Sequence, residues 1–440
     1  MLEKQKILII SHAHPKISKG GGENAAYNLF KEIQHRDNYE VIFLAYNPLG
    51  SPNNLGTCLE ICASDGSEII LSGGSPDHFI FSQLNTILIC NNFRDLLDCF
   101  QPTIIHFHHY IHIGLEMIRE VRKYSKEVPI IMTLHEYLAI CNNDGKMIKT
   151  STHKLCYQAI PKDCHKCFPN KSPEDFQLRE LYIKSFFNLI DIFIAPSKFL
   201  LNRYMTWGIP QERMVYLDNG LSLNEPASPR TLAFQEGRTK FAYFGTLSIF
   251  KGTLVVFEAI AGLPKEIRRK ITLDIYGANL EFQSQDFQNQ FSELLEKTTD
   301  CVRFHGPYQS EDMPKLMANV DWVIVPSIWW ENSPLVIEEA LFHKRPVICS
   351  NIGGMAEKVE HEQSGLHFQV GSAADLANCI IRAATEEGLW DKLSNGISER
   401  LTIQEVADRT LEIYRQIQEK LSVSNSQLNQ VGECISQEPS

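Results

Sequence analysis

The stretch from Val320 to Gly354 constrains the fold of this chain more than any other. It opens on a short apolar run, Val323-Ile324-Val325, that stops at Pro326-Ser327. Trp329, Trp330 and Glu331-Asn332-Ser333-Pro334 follow, and then a helical run from Leu335 to Phe342. A second apolar run, Pro346-Val347-Ile348-Cys349, stops at Ser350, and Gly353-Gly354 opens another helix. Strand, loop, helix, strand, loop, helix is the rhythm of a parallel sheet, because parallel strands need a crossover connection. Ligands of such sheets bind beyond the C-terminal strand ends, where both of these loops fall. Pro334 suits the first helical turn and Asn332 or Ser333 the N-cap, leaving the free amides of that turn as an anion site. The pattern puts Glu331 at the helix mouth. It puts Glu339 beside Glu338, in or near the sheet face, among Leu335, Val336, Ile337, Ala340 and Leu341. A carboxylate in such surroundings is costly without a partner. Sugar or ribose hydroxyls are suitable donors; a solvated helix face bearing both glutamates is the alternative.

Pro326-Ser327, Glu331-x7-Glu339, Pro346-Val347 and Gly353-Gly354 together resemble the donor site of the GT4-type retaining glycosyltransferases, the glycosyl transferases group 1 of the GT-B superfamily. The resemblance implies an α/β fold of two Rossmann-like parallel-sheet domains facing across a cleft. It also implies transfer of a sugar from a nucleotide-diphosphate donor.

A chain of 440 residues fits two or three domains. A net charge of −11 gives no support to a nucleic-acid partner. No apolar run reaches the roughly 18 residues of a membrane span. Ile7-Leu8-Ile9-Ile10 follows Met1–Lys6 too closely and is too short for a signal peptide, so it is expected to be the first buried strand of a cytoplasmic protein. Arg119, Arg122, Lys123 and Lys126 form one polar helix face. That face reads as solvated, with peripheral membrane contact as the alternative.

In the first half, a strand over Lys6 to Ser11 leads through a loop to Gly20-Gly21-Gly22-Glu23 and a helix over Asn24 to Gln34. Gly20-x-Gly22-x-x-Ala25 nominally matches the dinucleotide fingerprint. Nine residues separate Gly20 from the strand, however, where the fingerprint puts its first glycine at once. A glycine-rich loop before a helix still suits a phosphate or an acceptor group, and the resemblance implies that use for Gly21 and Gly22. Glu68 to Leu71 and His78 to Phe81 are expected to form a hairpin around Gly73-Gly74. A strand over Pro129 to Leu134 runs into His135-Glu136-Tyr137, which resembles the His-Asp or His-Glu pair of the same family. The resemblance implies that His135 lies near the donor sugar and assists transfer; a histidine satisfied by a backbone carbonyl is the alternative.

Cys141, Cys156, Cys164 and Cys167 are clustered, and Cys164-x2-Cys167 has metal-ligand spacing. Four thiolates would staple an otherwise shapeless loop, Asn142 to Lys171, around a structural zinc, with His153 and His165 as spare ligands. Unliganded loop cysteines and an iron–sulfur or redox role remain open.

The second half restarts with a strand over Lys240 to Phe244, then Gly245, Thr246 and, at the start of a helix, Lys251-Gly252. Lys251 is placed to meet a diphosphate as a point charge. The resemblance puts an arginine where this chain has Thr246, so one cation is missing. It also sets Gly306-Pro307-Tyr308 beside the nucleotide base. The expected division is 1–223 as an acceptor-side domain holding the cysteine loop 141–167, 224–239 as a linker and 240–402 as the donor domain. A helix over 403–421 crosses back to the first domain, and 422–440 forms a disordered tail without apolar periodicity.

The resulting assignment is a retaining glycosyltransferase with His135, Glu331 and Lys251 as catalytic residues. Gly21, Gly22, Thr246, Gly306, Asn332, Ser333, Pro334, Leu335 and Glu339 bind the donor. The resemblance implies no essential metal, and an acceptor that is a glycan or lipid-linked precursor of cell-surface polysaccharide. A catalytically silent nucleotide-sugar-binding protein, suggested by Thr246, and a sugar-nucleotide epimerase are the rival readings.

Overall fold

The computed structural model of the chain describes residues 4–18, 20–47, 50, 56–74, 76–83, 86–222 and 225–435, with side chains to 423. The chain forms two compact units. Unit 1 is 1–196 with 200–220 and 402–440, and unit 2 is 197–199 with 221–401.

Unit 1 contains β1 (Gln5–Ser11), β2 (Tyr39–Asn47), β3 (Leu59–Ile61), β4 (Glu68–Ser72), a short ribbon of β5 (Pro76–Asp77) and β6 (Ser82–Gln83), β7 (Ile104–Phe107), β8 (Ile130–Thr133), β9 (Ile192–Ala195) and β10 (Met214–Tyr216). Its large sheet has the order β10-β9-β8-β7-β1-β2-β4-β3. Helices cover the central strands on both faces, so these strands are unbroken apolar runs such as Ile7 to Ile10, all fully buried. At the centre Ile9 pairs with Phe43 on one side and His106 on the other, both in parallel. The chain leaves β1 toward β2 and later resumes on β1's other side at β7. The C-terminal ends of β1 and β7 therefore flank a topological switch point, where open α/β sheets hold their ligands.

The hairpin expected between 68–71 and 78–81 does not form. β4 runs parallel to β2 and antiparallel to β3, and 78–81 is a turn. Glu68 decides this. Its buried carboxylate accepts hydrogen bonds from Lys31 at 2.7 Å and Tyr27 at 3.0 Å, both on the helix Gly21–Gln34, and lies 3.1 Å from His14 Nε2. Only a strand beside β2 brings it to those partners.

Unit 2 contains β11 (Lys240–Phe244), β12 (Thr272–Tyr276), β13 (Val302–Gly306), β14 (Trp322–Val325), β15 (Val347–Ser350) and β16 (Gly365–Phe368), in the order β13-β12-β11-β14-β15-β16, all parallel. One face packs Phe257, Ile260, Leu376 and Ile380 onto the sheet, and the other packs Ile337, Leu341, Met355 and Val359. The switch point lies between β11 and β14.

Three expectations about the chain's organisation need correction. Residues 225–239 are no free linker. Arg230 and Arg238 donate to the fully buried Asp321 at 2.8 and 3.2 Å, and the Ala227 amide donates to His343 at 2.8 Å, which clamps the segment to unit 2. Helices at Gln285–Lys297 and Leu389–Gly396 lie where no element was expected. The last helix runs from Ile403 to Ile435, past the expected end at 421. Ala407, Tyr414, Leu421, Leu428 and Ile435 recur every seven residues and no proline intervenes, so the apolar period continues into the segment read as disordered. This helix belongs to unit 1, where the Tyr414 hydroxyl meets His106 Nδ1 at 2.6 Å. No helix among the described residues is long and apolar enough to cross a membrane.

Candidate active site

In unit 2, the loops after β11 and β14 meet at the switch point. Lys251, from the first, and Glu331, from the second, form an ion pair with Nζ and Oε1 2.6 Å apart. The same oxygen also accepts from the Ser327 hydroxyl and the Trp329 indole N–H, each at 2.8 Å. The Lys251 ammonium lies 5.4 Å from the centre of the Trp329 ring. Ser327 and Trp329 were not among the expected site residues. Their signal was present in the sequence, since both fall inside the stretch that carries Glu331.

Two glycines make this meeting possible. Gly252, at φ +69°, passes so close to Pro326 that a Cβ there would overlap the Pro326 carbonyl oxygen. Gly354 opens the helix Gly353–Lys358 against the Asn332 carbonyl, and its amide donates to the Glu331 carbonyl at 2.9 Å. A Cβ on Gly354 would overlap the Asn332 oxygen, and the neighbour is backbone, which cannot swing away. Gly354→Ala is expected to cost about 3 kcal/mol of stability, at the upper end of overpacking penalties. Thermal unfolding measures this, and a loss under about 1 kcal/mol would show that the loop yields easily.

The helix Leu335–Phe342 starts one residue later than expected at its cap. Pro334 itself is the N-cap, with no side-chain capping bond. Asn332 Oδ1 instead accepts from the Ser197 hydroxyl at 2.6 Å. A proline at this position loses nothing, since the cap N–H has no helical partner. The first bond of the helix runs from the Ile337 amide to the Pro334 carbonyl, so the amides of Leu335 and Val336 face outward from the helix end.

The two neighbouring glutamates of this helix differ in their partners. Glu338 is the fully buried one, and Arg400 Nε meets its Oε2 at 2.7 Å, with Lys358 3.8 Å from Oε1. Glu339 is half-buried, and no protein group among the described residues hydrogen-bonds its carboxylate. Burial pushes its pKa up to about 7. Its charge also helps raise Tyr308, second to burial. Tyr308 follows Gly306, the last residue of β13. Thr246 is exposed after β11, and its carbonyl accepts from the Tyr243 hydroxyl at 2.8 Å.

In unit 1, His12, His108 and His135 follow the C-terminal ends of β1, β7 and β8. His108 Nδ1 and His135 Nε2 lie 3.1 Å apart. Burial holds His135 neutral, its pKa pushed down to about 3. Gly22 packs onto its ring, where a Cβ would come within 3.2 Å of Cγ, so the structure brings the glycine loop and His135 together. His109 Nδ1 accepts from the amides of Tyr110 and Ile111 at 3.0 Å each. Its proton therefore sits on Nε2, 3.3 Å from Glu136 Oε1. Burial raises Glu136 to about 8. Glu23 is the opposite case. Burial pushes it up, but His12 at 3.2 Å and the Ser18 hydroxyl at 3.0 Å outweigh that and hold it at about 2. This anion lies over Gly20, at the positive end of the helix Gly21–Gln34, and weakens that end as a phosphate cradle.

Two parallel α/β units, each with a crevice at a topological switch point, define a GT-B chain. Residues 224–400 match the family Glycosyl transferases group 1, and residues 19–225 match Glycosyltransferase Family 4. The chain belongs to the group 1 glycosyltransferases. Among curated relatives, it is 27% identical to the D-inositol 3-phosphate glycosyltransferase of Nocardioides sp. over 42% of its own length, and the match spans 43% of that relative. It is 24% identical to the lipopolysaccharide 1,2-N-acetylglucosaminetransferase of Salmonella typhimurium over 70% of its length and 69% of the relative's. Its fold resembles HepE of Anabaena, solved with UDP and glucose, with a TM-score of 0.61 and 19% identity over 95% of this chain and 100% of that one.

Proposed function

We propose that the chain moves a glycosyl group from a nucleotide-diphosphate sugar to a hydroxyl of a glycan or lipid-linked acceptor. The observation that carries the reading is the Lys251–Glu331 pair beside the outward amides of Leu335 and Val336, at the switch point of a group 1 glycosyltransferase chain. The bond that breaks joins the anomeric carbon to the diphosphate, and its electron pair leaves with the phosphate oxygen. The new bond joins that carbon to the acceptor oxygen, whose proton passes to the departing phosphate.

The main barrier is the charge developing on the leaving group. Lys251 and the helix amides supply positive potential there, with Asn332, Ser333, Pro334 and Leu335 shaping the phosphate seat. Lys251 stands alone where the family resemblance adds an arginine, because Thr246 is neutral. Glu331 takes sugar hydroxyls through the carboxylate oxygen opposite its protein-bonded one. Glu339 takes the ribose hydroxyls, and Gly306 borders the base. His135, neutral at working pH, steadies the sugar, with Gly21 and Gly22 beside it. HepE was solved with UDP and with UDP-glucose, which makes UDP-glucose the first donor to try. The Salmonella relative acts on lipopolysaccharide, which favours a cell-surface glycan acceptor.

A thermal-shift screen of UDP-, GDP-, ADP- and dTDP-sugars tests the reading. A ligand at a hundred times its Kd adds about 2.7 kcal/mol of stability. The expected result is a shift with one donor that is lost in Glu339→Ala, and release of the nucleoside diphosphate when an acceptor glycan is added. A shift without any release across an acceptor panel would favour the silent binding protein that Thr246 suggests. Release without an acceptor would favour an epimerase.

A further inference from the structure

Cys141, Cys156, Cys164 and Cys167 lie outside the proposed transfer site, in the chain segment after β8. They come from three separate stretches of the chain, yet all four line one cavity. It is small, about 30 Å3, with Met147, Ile148, Phe168 and Phe176 among its other walls. That is room for an ion or a water molecule or two, not for a substrate. Asp163 also lines it, whereas His153 and His165 do not, and His165 Nδ1 is engaged by the Lys171 carbonyl at 2.7 Å.

The sulfurs are presented in two matching ways. The Asn143 amide hydrogen-bonds the Cys141 sulfur, and the Cys156 thiol donates to the Gln158 carbonyl at 3.3 Å, in each case the residue two positions on. The Met147 amide adds a second donor to Cys141. Cys164 and Cys167 stand about one turn apart on the helix Pro161–Cys167, so both face the same side. All four are free thiols. Around them, residues 142–171 contain that one short helix and a single bridge between Ile148 and Leu155, too little regular structure to hold so long a loop.

We infer that Cys141, Cys156, Cys164 and Cys167 hold one structural zinc ion that fastens the loop lying over Glu136. The link to Glu136 is Gly145, where an added Cβ would sit 2.6 Å from Glu136 Oε2. No group of three or more His, Cys, Asp or Glu among the described residues is already drawn to metal-ligand spacing. Binding zinc requires the four sulfurs to move inward around the cavity they share, to a tetrahedral site. This role is structural and independent of the transferase reading.

The test uses the full chain, stripped of metal and titrated with zinc chloride or cobalt chloride alone. The expected result is one metal per chain, a thiolate-to-cobalt charge-transfer band, and protection of four thiols from a thiol reagent once zinc is added. Cys156→Ser and Cys164→Ser should each weaken zinc at least about tenfold, while Cys301→Ser, in the core of unit 2, should not. If those variants fail to fold, the cobalt spectrum of the unaltered chain still decides. A cobalt titration without the charge-transfer band, or four thiols equally reactive with and without zinc, would overturn the inference. The cobalt band reads sulfur ligation directly, so a failed donor screen leaves the result standing.

Discussion

Replacing Lys251 with alanine is expected to lower turnover by about a hundred- to a thousandfold while leaving the melting temperature close to that of the parent chain. The ammonium lies 2.6 Å from Glu331 Oε1, and its side chain is about one-third exposed, at 32%. Its removal takes the countercharge from the buried Glu331, but the carboxylate keeps the Ser327 and Trp329 donors, which limits the cost to the fold. In the proposed transfer, the leaving diphosphate loses the positive charge that Lys251 supplies. With Thr246 neutral, no arginine at that position shares the work, so the loss should fall on kcat more than on KM. Steady-state kinetics on the donor found in the thermal-shift screen measures it. A kcat within a few-fold of the parent would remove Lys251 from the mechanism. Because Lys251 and Glu331 act as one pair, the double alanine variant should be little worse than the poorer single one.

Donor affinity is expected to rise by about tenfold between pH 6 and pH 8 through Glu339 alone. Burial holds this carboxyl protonated up to about pH 7 in the donor-free chain. Ribose hydroxyls donate best to the ionised form, so the apparent Kd worsens about tenfold for each pH unit below 7 and is flat above 8. Glu339→Gln should flatten this profile and weaken binding about ten- to a hundredfold, the worth of a hydrogen bond to a charged group. Calorimetric titration at pH 6, 7 and 8 reads both effects. An unchanged slope in Glu339→Gln would put the titrating group elsewhere. The stability linkage has the opposite sign. The folded chain holds a proton here that the unfolded chain releases near 4.5, so this group's contribution is full below 4.5 and is lost as pH rises through 7.

The order of apolar runs and breakers determined most of the architecture. The helix Thr253–Ala261, the helix Leu335–Phe342 and the strand Lys240–Phe244 fall on the residues their periodicity indicates. So do the central strands of both sheets, because a strand buried on both faces is written as an unbroken apolar run. The glycines of Gly353-Gly354 were legible as a turn, and Glu331 as a residue at the helix mouth.

What periodicity could not decide was partnership. Glu338 and Glu339 are chemically identical neighbours. Only the approach of Arg400 and Lys358 makes the first an interior ion pair, while the second's carboxylate meets no donor among the described residues. Asp321 gathers Arg230 and Arg238 across about ninety residues of sequence, turning an apparent linker into part of unit 2. Glu68 finds Lys31 and Tyr27 on a helix and so moves its strand from a hairpin to a parallel edge. Local sequence sets backbone propensity and the identity of each charge. Which charges meet, and therefore which pKa values move and which carboxylate stays open, depends on contacts that exist only once the sheets have closed.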